Sequence, residues 1–180
     1  MKNNILLFLF FIVLMGCKSK TAINITVPDP DEEYTAIMVG PANRAGLEKE
    51  PFSYWFGKNA NNYVADDTSI QEIKPLLKNV SIKLFMGTWC EDSQREVPNF
   101  YKIMDAASFN YNKLELIAVT RDKTTPQELE KGLNIINVPT IILYKDGKEI
   151  NRIVEFPIES LEKDMLAILS GNEYKHAYAE

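Results

Sequence analysis

Cysteine and histidine are scarce in this chain, whose 180 residues include two cysteines and one histidine. Cys17 ends an apolar leader and Cys90 lies in the body of the chain, so no disulfide framework is expected. His176 lies near the C-terminus, which leaves no Cys/His dyad and no cluster with the spacing of zinc ligands. We therefore predict no metal site, and stability must come from an apolar core.

Glycine-rich phosphate-binding motifs and basic runs are missing as well. Neither Gly-x-Gly-x-x-Gly nor Gly-x-x-x-x-Gly-Lys occurs, and we predict no cofactor. The formal net charge is -5 and no run of lysine or arginine could follow a phosphate backbone, so nucleic acid is not an expected partner. An apolar content of 46% in a chain of this length suits one globular domain once a leader is removed.

Residues 1–16 have the features of an export signal. Lys2 precedes the apolar run Ile5–Met15, which is too short to span a bilayer. The sequence Leu14-Met-Gly-Cys17 resembles the bacterial lipobox, and this resemblance implies cleavage before Cys17 and attachment of lipid to its sulfur. The alternative is an ordinary secretory signal that happens to contain a cysteine. With the lipobox, the protein is expected in the cell envelope, anchored to a membrane and facing the periplasm.

Residues 17–34 are predicted to be the lipidated cysteine and a tether, and the globular domain is expected over residues 35–180. The prolines and acids of Val27–Glu33 oppose both helix and sheet, which favours a linker. Ile23, Ile25 and Val27 alternate with polar residues, so a short strand is the alternative.

The stretch Ser81–Pro98 contains the residues that carry chemistry. Its apolar run ends in Gly87-Thr88-Trp89-Cys90 and a helical pattern follows, which places one thiol at a strand-to-helix corner. Unpaired backbone N–H groups and the positive end of the helix dipole favour an anionic sulfur there. Glu91 and Asp92 add negative charge beside the thiol and oppose that effect, so the sequence leaves the net direction open.

Residues 89–93, Trp-Cys-Glu-Asp-Ser, resemble the active-site corner of the thioredoxin-like superfamily, which reads Trp-Cys-x-x-Cys. Pro98 corresponds to the kinking proline of the family's helix, and Val138-Pro139-Thr140 resembles the family's loop with a cis-proline that faces the active cysteine. The resemblance covers roughly Thr35–Ser170. Thioredoxin-like lipoproteins with Gly-Thr-Trp-Cys-x-Asp-Ser are the group that this stretch resembles most.

This resemblance implies a set of site residues. Cys90 is expected to be the nucleophile, with Trp89 beside it and Ser93 able to donate a hydrogen bond to its sulfur. The loop Val138-Pro139-Thr140 is expected to bind an extended client through its backbone, with a cis bond before Pro139. Two positions depart from the family, because Ser93 replaces the resolving cysteine and Leu84 stands where the family has a buried acid.

The resemblance also implies an α/β fold of thioredoxin-like type, with a mixed central sheet and helices on both faces. Periodicity and turn residues predict its elements. In chain order these are a strand Thr35–Gly40 broken by Pro41, a short helix begun by Pro51, a helix Asp67–Leu77 capped by Asp67 or Thr68, the strand and long helix around Cys90, a strand Leu114–Thr120, a short helix from Thr125 to near Gly132, a hairpin of Pro139–Tyr144 and Glu149–Val154 around Asp146-Gly147, and a helix Ile158–Leu169 stopped by Gly171. The aromatic segment Phe52–Phe56 is expected in the core or a lid, and a groove beside Cys90 is its alternative place.

Two functions of different classes fit these residues. The first is thiol-disulfide exchange outside the cytoplasm through Cys90 alone, with a mixed disulfide resolved by an external or client thiol. The second is a thioredoxin-like module that binds clients without turnover, since the second cysteine and the buried acid are absent. Protein or small-molecule thiols and disulfides are the expected partners. A peroxidase is disfavoured, because Lys83 and Thr88-Trp89-Cys90 do not fit the peroxiredoxin-like Thr-x-x-Cys with an upstream proline.

Overall fold

The computed structural model describes residues 22–33 and 35–179. The predictions for the export signal and for Cys17 lie outside these residues. The elements in chain order are β1 (Ile25–Pro28), β2 (Ala36–Ala42), α1 (Arg44–Leu47), α2 (Ser53–Asn62), α3 (Asp67–Leu76), β3 (Val80–Met86), α4 (Glu91–Ala106), a 3-10 turn (Tyr111–Lys113), β4 (Leu114–Ala118), β5 (Thr140–Lys145), β6 (Lys148–Val154) and α5 (Leu161–Ser170). In this part of the chain, no helix is both long and apolar enough to cross a membrane.

A mixed sheet organises the described residues, as predicted. Its strand order is β1-β2-β4-β3-β5-β6. Strands β3 and β4 are parallel, and the other neighbours are antiparallel. Parallel neighbours need a crossover connection, which α4 supplies here. The carboxyl ends of β3 and β4 therefore lie together at one end of the sheet, where Met86 pairs with Ala118.

The two faces of the sheet are covered differently. Alternate residues of a strand point to opposite faces, so Leu84 and Phe85 lie in separate clusters. The Leu84 face is covered by helices, whose buried side chains include Leu47, Phe56, Ile73, Phe100 and Met165, one from each helix. The Phe85 face is covered by the connection between β4 and β5, through Leu129, Leu133 and Ile135.

The short helix predicted from Thr125 on that second face is wrong, because the connection consists of turns. Glu128 has a left-handed backbone with φ 53°, which interrupts any helix there. The Thr125 hydroxyl accepts a hydrogen bond from the N–H of Leu129 at 2.9 Å, and the Glu130 carboxylate accepts from the N–H of Thr125 at 3.0 Å. The capping residues are therefore present but close a turn instead of starting a helix.

Within the tether predicted for residues 17–34, Ile25–Pro28 form strand β1 at the edge of the sheet, so the alternative of a short strand is confirmed there and the preferred linker is not. This strand pairs with β2 in the register Ile25↔Val39 to Pro28↔Ala36. The expected break at Pro41 is also wrong, because β2 continues to Ala42. The carbonyl of Pro41 accepts the N–H of Asn24 at 2.9 Å, so this residue still takes part in the pairing although it lacks an N–H.

The predictions for the hairpin turn and for the end of the last helix are confirmed, and the predicted cap of α3 is shifted by one residue. Asp146 and Gly147 have φ values of 49° and 80° in the β5–β6 turn, which is the left-handed backbone that an Asp-Gly hairpin requires. Gly171 ends α5 in the left-handed conformation. The cap of α3 is Asp66, one residue before the predicted Asp67, because the Asp66 carboxylate accepts the N–H groups of Thr68 and Ser69.

Candidate active site

Cys90 lies where β3 passes into α4, as the sequence predicted. Its backbone is extended, with φ -93° and ψ 124°, and it occupies the N-cap position of α4. Its N–H donates to the carbonyl of Gly87 at 3.0 Å, and its carbonyl accepts the N–H of Gln94 at 2.9 Å. The side chain is partly exposed. The thiol is therefore held at a helix N-terminus, on a residue that is partly exposed to solvent.

The loop before β5 lies against this thiol. The Val138–Pro139 peptide bond is cis, and the Cys90 thiol donates to the carbonyl oxygen of Val138 across 3.1 Å. Thr140 is buried and its hydroxyl donates to the carbonyl of Asn137 at 2.6 Å, which closes the loop from behind. The predicted cis bond and the predicted proximity of this loop to Cys90 are both confirmed. Thr140 holds the loop in shape, whereas Val138 presents the polar atom next to the sulfur.

Ser93 has a structural contact at the corner. Its side chain is fully buried, and its hydroxyl accepts the N–H of Gly87 at 3.2 Å. In the part of the chain that the structure describes, the hydrogen bond of this hydroxyl is with Gly87. The hydrogen bond expected from Ser93 to the sulfur of Cys90 is not observed. The residue fixes the turn that carries Trp89 and Cys90.

Trp89 is held by two groups from the segment that follows β4. Its indole N–H donates to the carbonyl of Val119 at 3.0 Å, and the guanidinium of Arg121 lies 5.3 Å from the centre of its ring. Gly87 leaves the space for this ring, because a Cβ there would lie 2.5 Å from an indole carbon. The tryptophan is therefore fixed in position by its neighbours.

Arg121 is itself fixed by Asp29, a residue assigned from the sequence to the tether. Nε and Nη2 of Arg121 donate to the two carboxylate oxygens of Asp29, each at 2.8 Å. This pairing holds the pKa of Asp29 below its usual range. Neither residue is among the site residues expected from the sequence, because the two are 92 positions apart in the chain. The signal that could have found Asp29 is the alternation of Ile23, Ile25 and Val27 just before it.

Two further polar residues, to which the sequence assigned no role, shape the corner. The Thr88 hydroxyl accepts the N–H of Met38 on β2 at 3.0 Å, and the Gln94 side chain donates to the carbonyl of Thr88 at 2.8 Å. These contacts tie the corner to β2 on one side and to α4 on the other.

Known proteins with similar sequences are named as thioredoxins or thiol-disulfide oxidoreductases. Thioredoxin H2 from Arabidopsis thaliana is 26% identical to this chain over 68% of it and 84% of the relative. Thiol-disulfide oxidoreductase ResA from Bacillus cereus is 27% identical over 86% of this chain and 90% of the relative. Together with the strand-to-helix cysteine and the cis-proline loop, these similarities decide the classification. The fold is thioredoxin-like.

Mitochondrial thioredoxin 3 from Saccharomyces cerevisiae shares 25% identity over 47% of this chain and 76% of its own, with a TM-score of 0.32. No family model matches the chain. The similarity to thioredoxins and ResA supports a thiol-disulfide redox role in general terms.

Leu84 stands where the thioredoxin-like family has a buried acid, and the carboxyl group of Glu155 lies at the cis-proline loop. Leu84 is fully buried on the helix-covered face. Glu155 follows β6, and its N–H donates to the carbonyl of Pro139 at 2.7 Å. Its carboxylate accepts from the Asn137 amide at 3.2 Å and from the hydroxyl of Tyr178. Burial, followed by the negative charge of Asp92, raises the pKa of Glu155.

A groove of about 430 Å³ lies on the side of Trp89 that faces α2. We call it the Trp89 groove, and its lining includes Phe52, Trp55, Thr88, Trp89, Glu91 and Glu32. Phe52 and Trp55 also pack on the core, with their rings 6.3 Å apart in an edge-to-face arrangement. The aromatic segment therefore does both things considered from the sequence, since it packs in the core and lines a groove beside the corner.

Proposed function

We propose that this thioredoxin-like protein carries out thiol-disulfide exchange through Cys90 alone, on protein or small-molecule clients. The Cys90 thiolate attacks one sulfur of a client disulfide, and the other client sulfur leaves as a thiolate. An external thiol, or a second thiol of the client, then attacks the mixed disulfide and releases Cys90 as a thiolate. This route needs no second cysteine beside Cys90, where Ser93 stands.

One observation carries the proposal, namely the placement of the Cys90 sulfur. Cys90 is a partly exposed residue at the N-terminus of α4, and its sulfur lies 3.1 Å from the carbonyl oxygen of Val138, next to cis-Pro139. A client chain that lies along this loop would bring its disulfide to the sulfur. The redox names of the similar proteins support the same chemistry.

A second candidate is a client-binding module in which Cys90 does not turn over. It is favoured by Leu84 in place of the buried acid and by the Ser93 hydroxyl, which is used by the backbone of Gly87. Both candidates use the same loop, so the reactivity of the thiol distinguishes them.

The exchange proposal predicts that Cys90 captures disulfide clients without any engineered trap. Purified protein mixed with a periplasmic extract should give mixed disulfides that are visible on non-reducing gels and are released by small thiols. The same experiment with Cys90→Ser should give none, which also controls for any reaction of Cys17. If Cys90 reacts with iodoacetamide no faster than an unstructured peptide thiol and captures no client, the binding module is the better description.

Membrane anchoring is a separate proposal, supported by the lipobox-like sequence at Leu14–Cys17. Strand β1 begins at Ile25, so residues 18–24 separate it from Cys17, a reach of at most about 29 Å. A lipid on Cys17 would therefore hold the domain close to the bilayer on the periplasmic side of the cell envelope.

This anchoring predicts that the protein sediments with membranes and that Cys17→Ser moves it to the soluble fraction. Mass spectrometry of the mature N-terminus should identify a lipidated Cys17, because acyl chains supply the membrane affinity. An unmodified N-terminus at another residue would contradict the anchor and leave the exchange proposal unaffected.

A further inference from the structure

The Trp89 groove has no role in the exchange step described above, yet it adjoins the reacting residue. The residues on both sides of Cys90, which are Trp89 and Glu91, line it. Its opposite wall comes from Phe52 and Trp55 at the start of α2, and its rim from Glu32. A client attached to Cys90 would therefore place the residues next to its own cysteine over this groove.

The charges around the groove are unbalanced. Arg121 lies at 2.8 Å from Asp29, 3.3 Å from Asp31 and 3.2 Å from Glu32, so three carboxylates share one guanidinium. Glu91 is exposed, and among residues 22–33 and 35–179 it has no ion-pair partner. The lining residues that the structure describes include three acids and no lysine or arginine. The groove therefore presents a net negative charge to a client.

The walls suit a particular kind of side chain. Aromatic faces attract cations, and the methylene stem of a lysine or arginine can lie along them while its charged end reaches a carboxylate. Trp55 is partly exposed and offers such a wall, with the buried Phe52 behind it, and Glu32 and Glu91 are the carboxylates at the rim. An acidic client side chain in this place would meet like charges.

We propose that the Trp89 groove binds a lysine or arginine side chain of the client close to the client's reactive cysteine. The protein then prefers disulfides in basic sequence surroundings. This inference rests on the proposed exchange function and names its substrate class. Binding of the basic side chain orients the client disulfide toward Cys90, while the exchange step itself is unchanged.

The test uses matched short peptides whose single cysteine carries a 2-pyridyl disulfide, flanked by lysine, by glutamine or by glutamate. The Cys90 thiolate attacks the peptide sulfur, the Cys90–peptide disulfide forms and 2-thiopyridone leaves, so its absorbance follows a single turnover. At low ionic strength the lysine peptide should react about tenfold faster than the glutamate peptide, and added salt should reduce this ratio.

Two variants that remove acidic side chains test whether the preference for the lysine peptide arises in the Trp89 groove. The double variant E32Q/E91Q should bring the lysine-to-glutamate rate ratio down to about twofold or less, because the rim loses both carboxylates. Glu72→Gln is the control, since Glu72 is an exposed acid on α3 outside the groove. It should keep the full ratio. The measured quantity is the ratio of the rates with the lysine and glutamate peptides. A change in Cys90 reactivity that affects both peptides equally therefore does not alter it.

The outcomes separate this inference from the exchange proposal. Equal rates for the lysine and glutamate peptides, or a ratio that E32Q/E91Q leaves unchanged, would overturn the groove assignment while Cys90 still exchanges. The neutral reagent 2,2'-dipyridyl disulfide tests the sulfur alone. If Cys90 reacts with it no faster than a peptide thiol, the exchange proposal itself fails.

Discussion

Replacing Ser93 with cysteine is expected to give the protein an internal disulfide with Cys90 and to release a bound client without an outside thiol, which is then needed only to reduce the internal disulfide. The new thiol would lie one helical turn beyond Cys90, at the position of the resolving cysteine in the Trp-Cys-x-x-Cys motif. It would attack the Cys90–client disulfide, so that the client sulfur leaves as a thiolate and a disulfide forms between Cys90 and the introduced cysteine. Because this attack is intramolecular, trapped mixed disulfides should fall by about tenfold or more.

Mass spectrometry under non-reducing conditions should show the loss of two hydrogens in the oxidised Ser93→Cys protein. Turnover with a thioredoxin-type reductant should rise in parallel. Ser93→Ala is the matched control, because it also removes the hydroxyl that accepts the N–H of Gly87 but cannot form a disulfide. It should lose about 1–2 kcal/mol of stability and keep its mixed disulfides. Persistent mixed disulfides in Ser93→Cys would mean that α4 holds the two sulfurs apart.

Replacing Gly87 with alanine is expected to displace Trp89 and to damage the site without changing any reacting group. The new Cβ would lie 2.5 Å and 2.8 Å from indole atoms, well inside contact distance. The ring cannot retreat freely, because Val119 accepts its N–H at 3.0 Å and Arg121 lies over it. Overpacking of this kind costs about 1–3 kcal/mol. Client capture by Cys90 should fall as well, since Trp89 borders both the thiol and the groove.

Chemical denaturation checks the stability change, and the rate of reaction with 2-pyridyl peptides checks the site. Gly57→Ala is the matched control, with the same atoms added on α2 where nothing lies within 4 Å of the new Cβ. Alanine favours a helix interior over glycine by about 0.8–1 kcal/mol, so this control should be slightly more stable than the natural protein. Equal stability of the two variants would show that the corner can adjust to the added methyl group.

The sequence alone determined the parts of this protein that depend on neighbours in the chain. The strand before Gly87, the long helix after Cys90, the Asp146-Gly147 turn and the end of α5 at Gly171 follow from short-range patterns of burial, backbone freedom and capping. The resemblance of residues 89–93 and of Val138-Pro139-Thr140 to one family then placed the thiol and the cis-proline loop together. Their contact at 3.1 Å confirms that placement.

Tertiary structure decided the features that depend on distant partners. Residues 125–132 carry helix-start signals, yet they form turns that cover the Phe85 face. The alternating stretch before Asp29 suits either a tether or a strand, and pairing with β2 makes it a strand. Asp29 then reaches Arg121 and, through it, Trp89, across a separation that no local pattern encodes. A polar residue in a flexible segment and one in a buried ion pair look alike in sequence, because the difference lies in what the fold brings beside them.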